Sequence, residues 1–321
     1  MRRRLPVLLV LAGLALLAAG SAVAANGGFT PPTPRSPNAH RITDAYYLIL
    51  GFTGGIFVLV ETALVLFVLR FRSRGRPRSV EGPQIRGHTR LELAWTIVPV
   101  LILAAIAAFV FYELPGIKNT PPATAASNRV TIRIDAYQFY WQFTYPNGAI
   151  SIDRMIVPYG SVVAIDVHSQ DVAHSWWIPA LGGKIDAIPG RTNHTWFRAS
   201  RVGTFRGQCA EFCGIQHAKM LAYVDVVPAS EYARTVAALR QPTPETLGAQ
   251  EFVGVCAKCH GANAQGDIGP RLIGNPLLND PKGLTTVITQ GRGRMPAVGK
   301  GWSNEQLGAL ISYLKRHYGG G

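Results

Sequence analysis

The chain has 321 residues and a formal net charge of +14, from 32 Lys and Arg against 18 Asp and Glu. That length leaves room for two modest domains plus membrane segments. The charge is local: Arg2, Arg3 and Arg4 open the chain, and Arg70, Arg72, Arg74, Arg76, Arg78, Arg86 and Arg90 crowd one short loop between apolar stretches. The remainder is nearly balanced, which excludes a nucleic-acid footprint and marks the excess as a membrane-topology signal.

Residues 1–24 combine a basic start, an apolar run and Ala22-Val23-Ala24 before Ala25. That is the layout of a cleaved secretory signal, with an uncleaved anchor as the alternative. No cysteine follows the apolar run, so lipid attachment there is not supported. Residues 25–44 are expected to form a short outer segment. Residues 45–69 and 93–112 are then each long and apolar enough to span a bilayer, which takes roughly 20 residues. Pro99 in the second span is tolerable because neighbouring helices satisfy the freed carbonyl. The arginines place the loop at 70–92 in the cytoplasm and both outer ends of the hairpin outside. Glu61 lies inside the first span, where a carboxylate is costly and usually paired or functional. Beyond about Leu114, with Pro115, Pro121 and Pro122 marking the exit, the chain is expected on the periplasmic side of a bacterial cytoplasmic membrane, as part of a multi-pass protein.

From residue 128 to 228 the pattern becomes β-like: VTIRIDAYQFYWQFTY, SVVAIDVHS, TWFRAS and LAYVDVV are short β-branched and aromatic runs broken by Pro, Gly and Asn. They predict a sandwich or barrel. Residues 229–246 form a polar connector with one helix followed by Pro242 and Pro244. Residues 247–318 read as a small helical domain. The fold class is therefore a multidomain membrane protein: a two-helix transmembrane hairpin, an all-β sandwich and a small all-α domain.

The four cysteines come in two local pairs, Cys209/Cys213 and Cys256/Cys259. In an oxidising compartment two disulfides are one reading. The first pair, however, sits in GQCAEFCGIQHAKM, with His217 and Met220 following in order. Thiolate, imidazole and a weak thioether near the end of a β-domain are the ligand set of a copper site. A second cysteine lets two thiolates bridge two coppers, each then needing a terminal nitrogen. His217 serves one. His174, after a strand and before a Gly/Pro-rich loop, is the best candidate for the other.

These residues, with DVAHSWW, GGKIDAIPGRTN and the upstream RLELAWTIVPVLIL, resemble subunit II of the haem-copper cytochrome c oxidases over roughly two hundred residues. The resemblance implies a binuclear CuA centre in a cupredoxin domain. Carried over by position, Cys209 and Cys213 bridge, His174 and His217 are terminal ligands, and Met220 and the backbone carbonyl of Glu211 are weak ones. It also implies that the Glu211 side chain faces a magnesium or manganese ion at the boundary with subunit I. His40, His88, His168, His194 and His317 lack such company and read as surface or structural, and Met155 reads as core.

CAKCH, Cys256 to His260, is the attachment motif for c-type haem: two thiols add to the vinyl groups and the histidine ligates the iron. GRMPAVG places Met295 in a turn about thirty-five residues on, as a second axial ligand requires. A helix follows in NEQLGALISYLKRH, with Leu307, Leu310, Ile311 and Leu314 on one face. This segment resembles a small class I cytochrome c. The whole then resembles a caa3-type subunit II, with the donor fused to its acceptor through a tether that raises its local concentration to about millimolar.

The family's aromatic stretch usually reads Gln-Trp-Tyr-Trp, and here it is Gln138-Phe139-Tyr140-Trp141. Phe139 lacks the indole of the usual electron-receiving residue, so Tyr137, Tyr140 and Trp141 remain as candidates beside it. An aromatic core face explains any one of them equally well. Glu92 matches by position an acidic residue linked in the family to proton uptake, and a helix-start carboxylate favoured by the dipole is the plain alternative. The resemblance implies subunit I and subunit III as partners, with an upstream cytochrome c or quinol:cytochrome c reductase as donor. It also implies electron passage to an oxygen-reducing site elsewhere, coupled to proton translocation. A nitric oxide reductase partnership would use the same cofactors. A copper-delivery protein would need neither the haem motif nor His174, and a quinol oxidase subunit lacks the copper ligands.

Overall fold

The computed structural model describes residues 30–71, 82, 84, 86–122 and 128–319. The leader expected at 1–24 and much of the loop expected at 70–92 lie outside the described residues. The chain divides into two units, Met1–Pro32 with His40–Ile117, and Thr33–Ala39 with Lys118–Gly321.

Two long helices make the first unit, α1 (Pro37–Phe71) and α2 (Thr89–Lys118), both long and apolar enough to cross a membrane. Each outruns the span expected at 45–69 or 93–112, because hydropathy locates the lipid-facing stretch and not the helix ends. Pro115 does not end α2, which continues to Lys118. So close to the end of a helix, the carbonyl that a proline frees is readily satisfied. Arg41 on α1 pairs with Glu113 on α2 at 2.5 Å. At the start of α2, Glu92 accepts the His88 N–H at 3.0 Å and His88 Nδ1 accepts the Leu91 N–H at 3.3 Å, a reciprocal cap.

The second unit begins with a β-sandwich. Its strands are β1 (Arg129–Tyr137), β2 (Tyr140–Thr144), β3 (Ile150–Ile152), β4 (Arg154–Pro158), β5 (Val162–Ser169), β6 (His174–Trp177), β7 (Ile185–Ala187), β8 (Asn193–Phe197), β9 (Gly203–Cys209) and β10 (Leu221–Val227). One sheet has the order β3-β2-β1-β5-β8 and the other β4-β10-β9-β6-β7. Burial alternates along β10, with Ala222, Val224 and Val226 inward, as one-sided strands require. Ile132, Ile134, Phe143, Met155, Val157 and Ile165 fill the space between the sheets. The aromatic run that reads as one strand folds back at Gln138 and Phe139 into a hairpin, with Tyr137 opposite Tyr140.

The connector is not a loose tether. Its helix α3 (Ala229–Arg240) buries Val236 in the sandwich core, with Tyr232 and Leu239 packed against it. The helical part follows: α4 (Pro244–Glu251), a π turn (Phe252–Cys256), α5 (Ala257–His260), α6 (Pro281–Gln290) and α7 (Asn304–Tyr318). Thr243 caps α4, and Ser303 with Gln306 forms a capping box on α7. Where α4 crosses α7 only glycine fits, since a Cβ on Gly248 would lie 2.5 Å from the Ala309 carbonyl. Phe252, Val255, Leu278, Leu284, Ile288, Leu307, Leu310 and Leu314 form one cluster, and Tyr137, Tyr140 and Ile152 of the sandwich belong to it. The helical part's apolar cluster thus extends onto one side of the sandwich, which keeps a separate core of its own.

Candidate metal centres

The loop after β9 turns Cys209 and Cys213 towards each other, and a 3-10 turn (His217–Lys219) brings His217 and Met220 back over them. Cys209 N–H donates to the Met220 carbonyl at 2.9 Å, closing the loop at its base. Ligand atoms of His174, Cys209 and Cys213 all lie within 4.8 Å of one another, although His174 comes from β6. Cys209 Sγ is 3.9 Å from His174 Nδ1 and 3.2 Å from the Glu211 carbonyl. Cys213 Sγ is 3.6 Å from His217 Nδ1 and 3.7 Å from Met220 Sδ. All four cysteines are free thiols, so neither local pair is a disulfide.

This donor set fits copper, with two soft sulfurs central, an imidazole beyond each, and a thioether and a carbonyl at the margins. His174 and Met220 are 0 % exposed, while Cys209 and Cys213 are buried and His217 half-buried. The hydrogen bond with Cys213 pulls the Cys209 pKa down, and the same contact pushes Cys213 up. Burial works against a charged His174, but Asp171 and then Cys209 outweigh it, and its pKa is raised.

Asp171 is the residue that sequence reasoning missed here. Its Oδ1 takes the His174 Nε2–H at 2.8 Å, which leaves Nδ1 bare towards the sulfurs. Its Oδ2 accepts the Gln138 N–H at 2.6 Å, and Gln138 Nε2 donates to the Cys213 carbonyl at 2.5 Å. The only available signal was an acid three residues before the histidine in DVAH.

In the helical part, Cys256 ends the π turn, and Cys259 and His260 follow on α5. His260 Nδ1–H donates to the Pro270 carbonyl at 2.7 Å, leaving Nε2 free as an iron ligand. A Cβ on Gly269 would come 2.9 Å from that ring, so glycine is required beside it. Burial pushes the Cys256 thiol up to about 12 and also raises Cys259. Met295 is half-buried against the same apolar cluster, in a turn bridged to Arg292. Two free thiols and an oriented imidazole on one short segment, with Met295 against the same apolar cluster as Cys256, fit a covalent haem.

Tyr140 and Trp141 are 0 % exposed and Phe139 is 6 % exposed. Tyr140 OH donates to the Val298 carbonyl at 2.7 Å and accepts the Trp302 Nε1–H at 2.8 Å. Tyr137 stacks on Tyr140 at 4.7 Å, and Trp141 lies 6.0 Å from the His174 ring. Tyr137 and Tyr140 therefore lie beneath the helical part, Phe139 and Trp141 belong to the sandwich core, and none of the four is on an open face. The Glu211 side chain is exposed, as is Phe212 beside it. His168, His194 and His317 face Asp135, Asp166 and Glu245 respectively, and Met155 is core. Glu61 is exposed on α1.

Comparison with known proteins gives three family matches. "Cytochrome C oxidase subunit II, transmembrane domain" covers residues 24–112, "Cytochrome C oxidase subunit II, periplasmic domain" residues 149–227, and "Cytochrome C oxidase, cbb3-type, subunit III" residues 244–314. Cytochrome c oxidase subunit 2 of Alkalihalophilus pseudofirmus is 34 % identical over 313 residues, covering 88 % of this chain and 89 % of the relative. The same subunit of Cereibacter sphaeroides is 35 % identical over 257 residues, covering 68 % and 82 %. The crystal structure of the periplasmic domain of subunit II from Bradyrhizobium japonicum is 36 % identical and covers 38 % of this chain and 96 % of its own, with a TM-score of 0.35.

Proposed function

This chain belongs to the cytochrome c oxidase subunit II family, and we propose that its own residues build both centres of an electron-input subunit. It is a membrane protein with an outward-facing cupredoxin domain and a fused cytochrome c domain, and it works with subunit I and a cytochrome c donor. Cys209, Cys213, His174 and His217 would hold the copper, with Met220 and the Glu211 carbonyl as weaker donors. Cys256 and Cys259 would hold the haem covalently, and His260 and Met295 would supply the donors to its iron. The observation that carries this reading is the convergence of His174, Cys209 and Cys213 within 4.8 Å, with His217 and Met220 on Cys213.

When bound, the two groups supply one-electron storage without making or breaking bonds. The chain's residues hold them still and dry. Asp171 fixes the His174 tautomer, and the Pro270 carbonyl fixes that of His260. Burial of both sulfurs and of Met220 keeps water from the copper ligands. Tyr140 is covered by Val298 and Trp302 of the fused domain and Trp141 is buried in the sandwich core, so neither is open to an outside protein. The external cytochrome c therefore reduces the fused domain.

Finer assignments rest on family membership. Glu211 shares a magnesium or manganese ion with subunit I, subunit III completes the assembly, and the complex sits in a bacterial cytoplasmic membrane and translocates protons. Glu92 has a local role as the cap on His88, which supports the dipole reading at least as well as proton uptake. Metal and haem analysis of the purified chain tests the assignment. Two coppers per haem are expected, and His174→Ala and His217→Ala should each lower copper content and leave haem unchanged. Full copper retention in both variants would refute the ligand set.

A further inference from the structure

The two ligand loops touch. Lys258 lies between the haem cysteines, and its side chain crosses to the sandwich. There its Nζ donates to the Phe139 carbonyl at 2.8 Å and to Asp153 Oδ2. Both partners of that ion pair are mostly buried, at 13 % and 16 % exposed. In the opposite direction the Lys258 carbonyl accepts from Gln216 Nε2 at 3.1 Å and from Lys219 Nζ at 3.2 Å. Gln216 is 4 % exposed and immediately precedes His217.

We propose that Lys258, Asp153 and Gln216 form a fixed joint that locks the haem-attachment loop onto the copper loop and serves as the bridge for electron transfer between them. The proposal rests on the ligand assignment above. The geometry gives a short route. The peptide joining Lys258 to Cys259 carries the carbonyl, one hydrogen bond reaches the Gln216 side chain, and the next residue is His217. Each electron supplied by a reduced external cytochrome c crosses singly, oxidising that donor and reducing the copper side, with no proton moved and no bond made.

Energetics separate the members of the joint. Lys219 also pairs with Asp267 at 2.7 Å, but both side chains are nearly half exposed and such pairs contribute little. The Lys258 pair differs, because removing one partner strands the other in a buried site. A second anchor, Trp302 and the Val298 carbonyl on Tyr140 OH, holds the far side of the same interface. Asp153, Gln216 and Lys258 are positioning residues. A joint of this kind makes transfer independent of salt, whereas a tethered donor that docks through exposed charges is screened.

The test uses the full chain in detergent, copper-loaded and haem-matured, with Asp153→Asn and Gln216→Leu. Asparagine tolerates the φ of 57° at position 153 and keeps an acceptor for the Trp141 N–H. Haem is reduced by a flash-activated reductant and the copper absorption is followed in time. Both variants should slow haem-to-copper transfer several-fold, because each removes a contact that holds the two loops together. Each should also make the rate fall with added salt, and hydrogen exchange at residues 214–220 and 257–260 should quicken. The copper resonance spectrum, the haem spectrum and the haem potential should stay as in the parent chain. Wild-type rates that ignore salt in both variants, with both spectra intact, would overturn the joint and leave the ligand assignment standing. Absence of the copper signal from the parent chain would overturn the assignment itself.

Discussion

Glu251, the last residue of α4, is 0 % exposed, and neither carboxyl oxygen has a hydrogen-bond partner among the described residues. Burial pushes its pKa from 4.5 up to about 9, and Glu305 adds to the rise. Between those two values the folded chain holds a proton that the unfolded chain has released. Stability is therefore full below the lower value and falls as pH rises to the upper one. The limiting slope is about 1.4 kcal/mol per pH unit. At pH 7, roughly two and a half units above the ordinary value, the cost is about 3 kcal/mol. Glu251→Gln removes the ionisable group and keeps its shape. Guanidinium unfolding of the haem-matured chain, followed at the haem absorption band and repeated across this pH range, reads the difference. The variant should match the parent near the acid end and gain steadily on it towards alkaline pH. A constant offset between the two at every pH would refute the reasoning, because Glu251 would then be ionised in the fold.

Other variants probe the two centres separately. Cys213→Ser should abolish the binuclear copper signal and leave haem attached, as metal analysis and the haem spectrum will read. Loss of haem as well would show that the two domains, which pack together through Tyr137, Tyr140 and Ile152, do not mature independently. Asp171→Ala frees the His174 ring and should weaken copper binding about 10–100-fold in a chelator competition, the usual effect of losing such a partner. Haem content should not change. Gly248→Val forces a side chain against the Ala309 carbonyl and Tyr313 Cβ, both within 2.6 Å of a Cβ there. It should cost about 1–3 kcal/mol in thermal unfolding of the cytochrome domain, and an unchanged midpoint would mean that α4 and α7 separate freely.

The ligands were legible because local spacing carries them. Cys209, Cys213, His217 and Met220 lie on one loop and its 3-10 turn, and Cys256, Cys259 and His260 on a single turn of chain. His174 was reachable only through the chemical demand for a second imidazole. The aromatic stretch was legible as β but not as a hairpin, since Tyr140 and Trp141 suit a core strand, a bend or a docking face alike. What covers Tyr140 is decided by Val298 and Trp302, more than 150 residues away, and no local pattern reports that. The connector read as a tether because Pro and polar residues dominate it, yet Val236 and its neighbours fasten it to the sandwich. Asp171, Gln216 and Lys258 act through contacts formed only after folding, so their roles could not be read beforehand. The ends of α1 and α2 were missed for a different reason, as apolar composition reports lipid contact and helix continues past it.

The central claim is that two thiolates of this chain hold two coppers that share one electron. Electron paramagnetic resonance of the copper-loaded, haem-matured full chain tests it most directly. The account predicts hyperfine splitting from one electron shared equally by two coppers, lost in Cys209→Ser and in Cys213→Ser. A splitting from a single copper in the parent chain would contradict it.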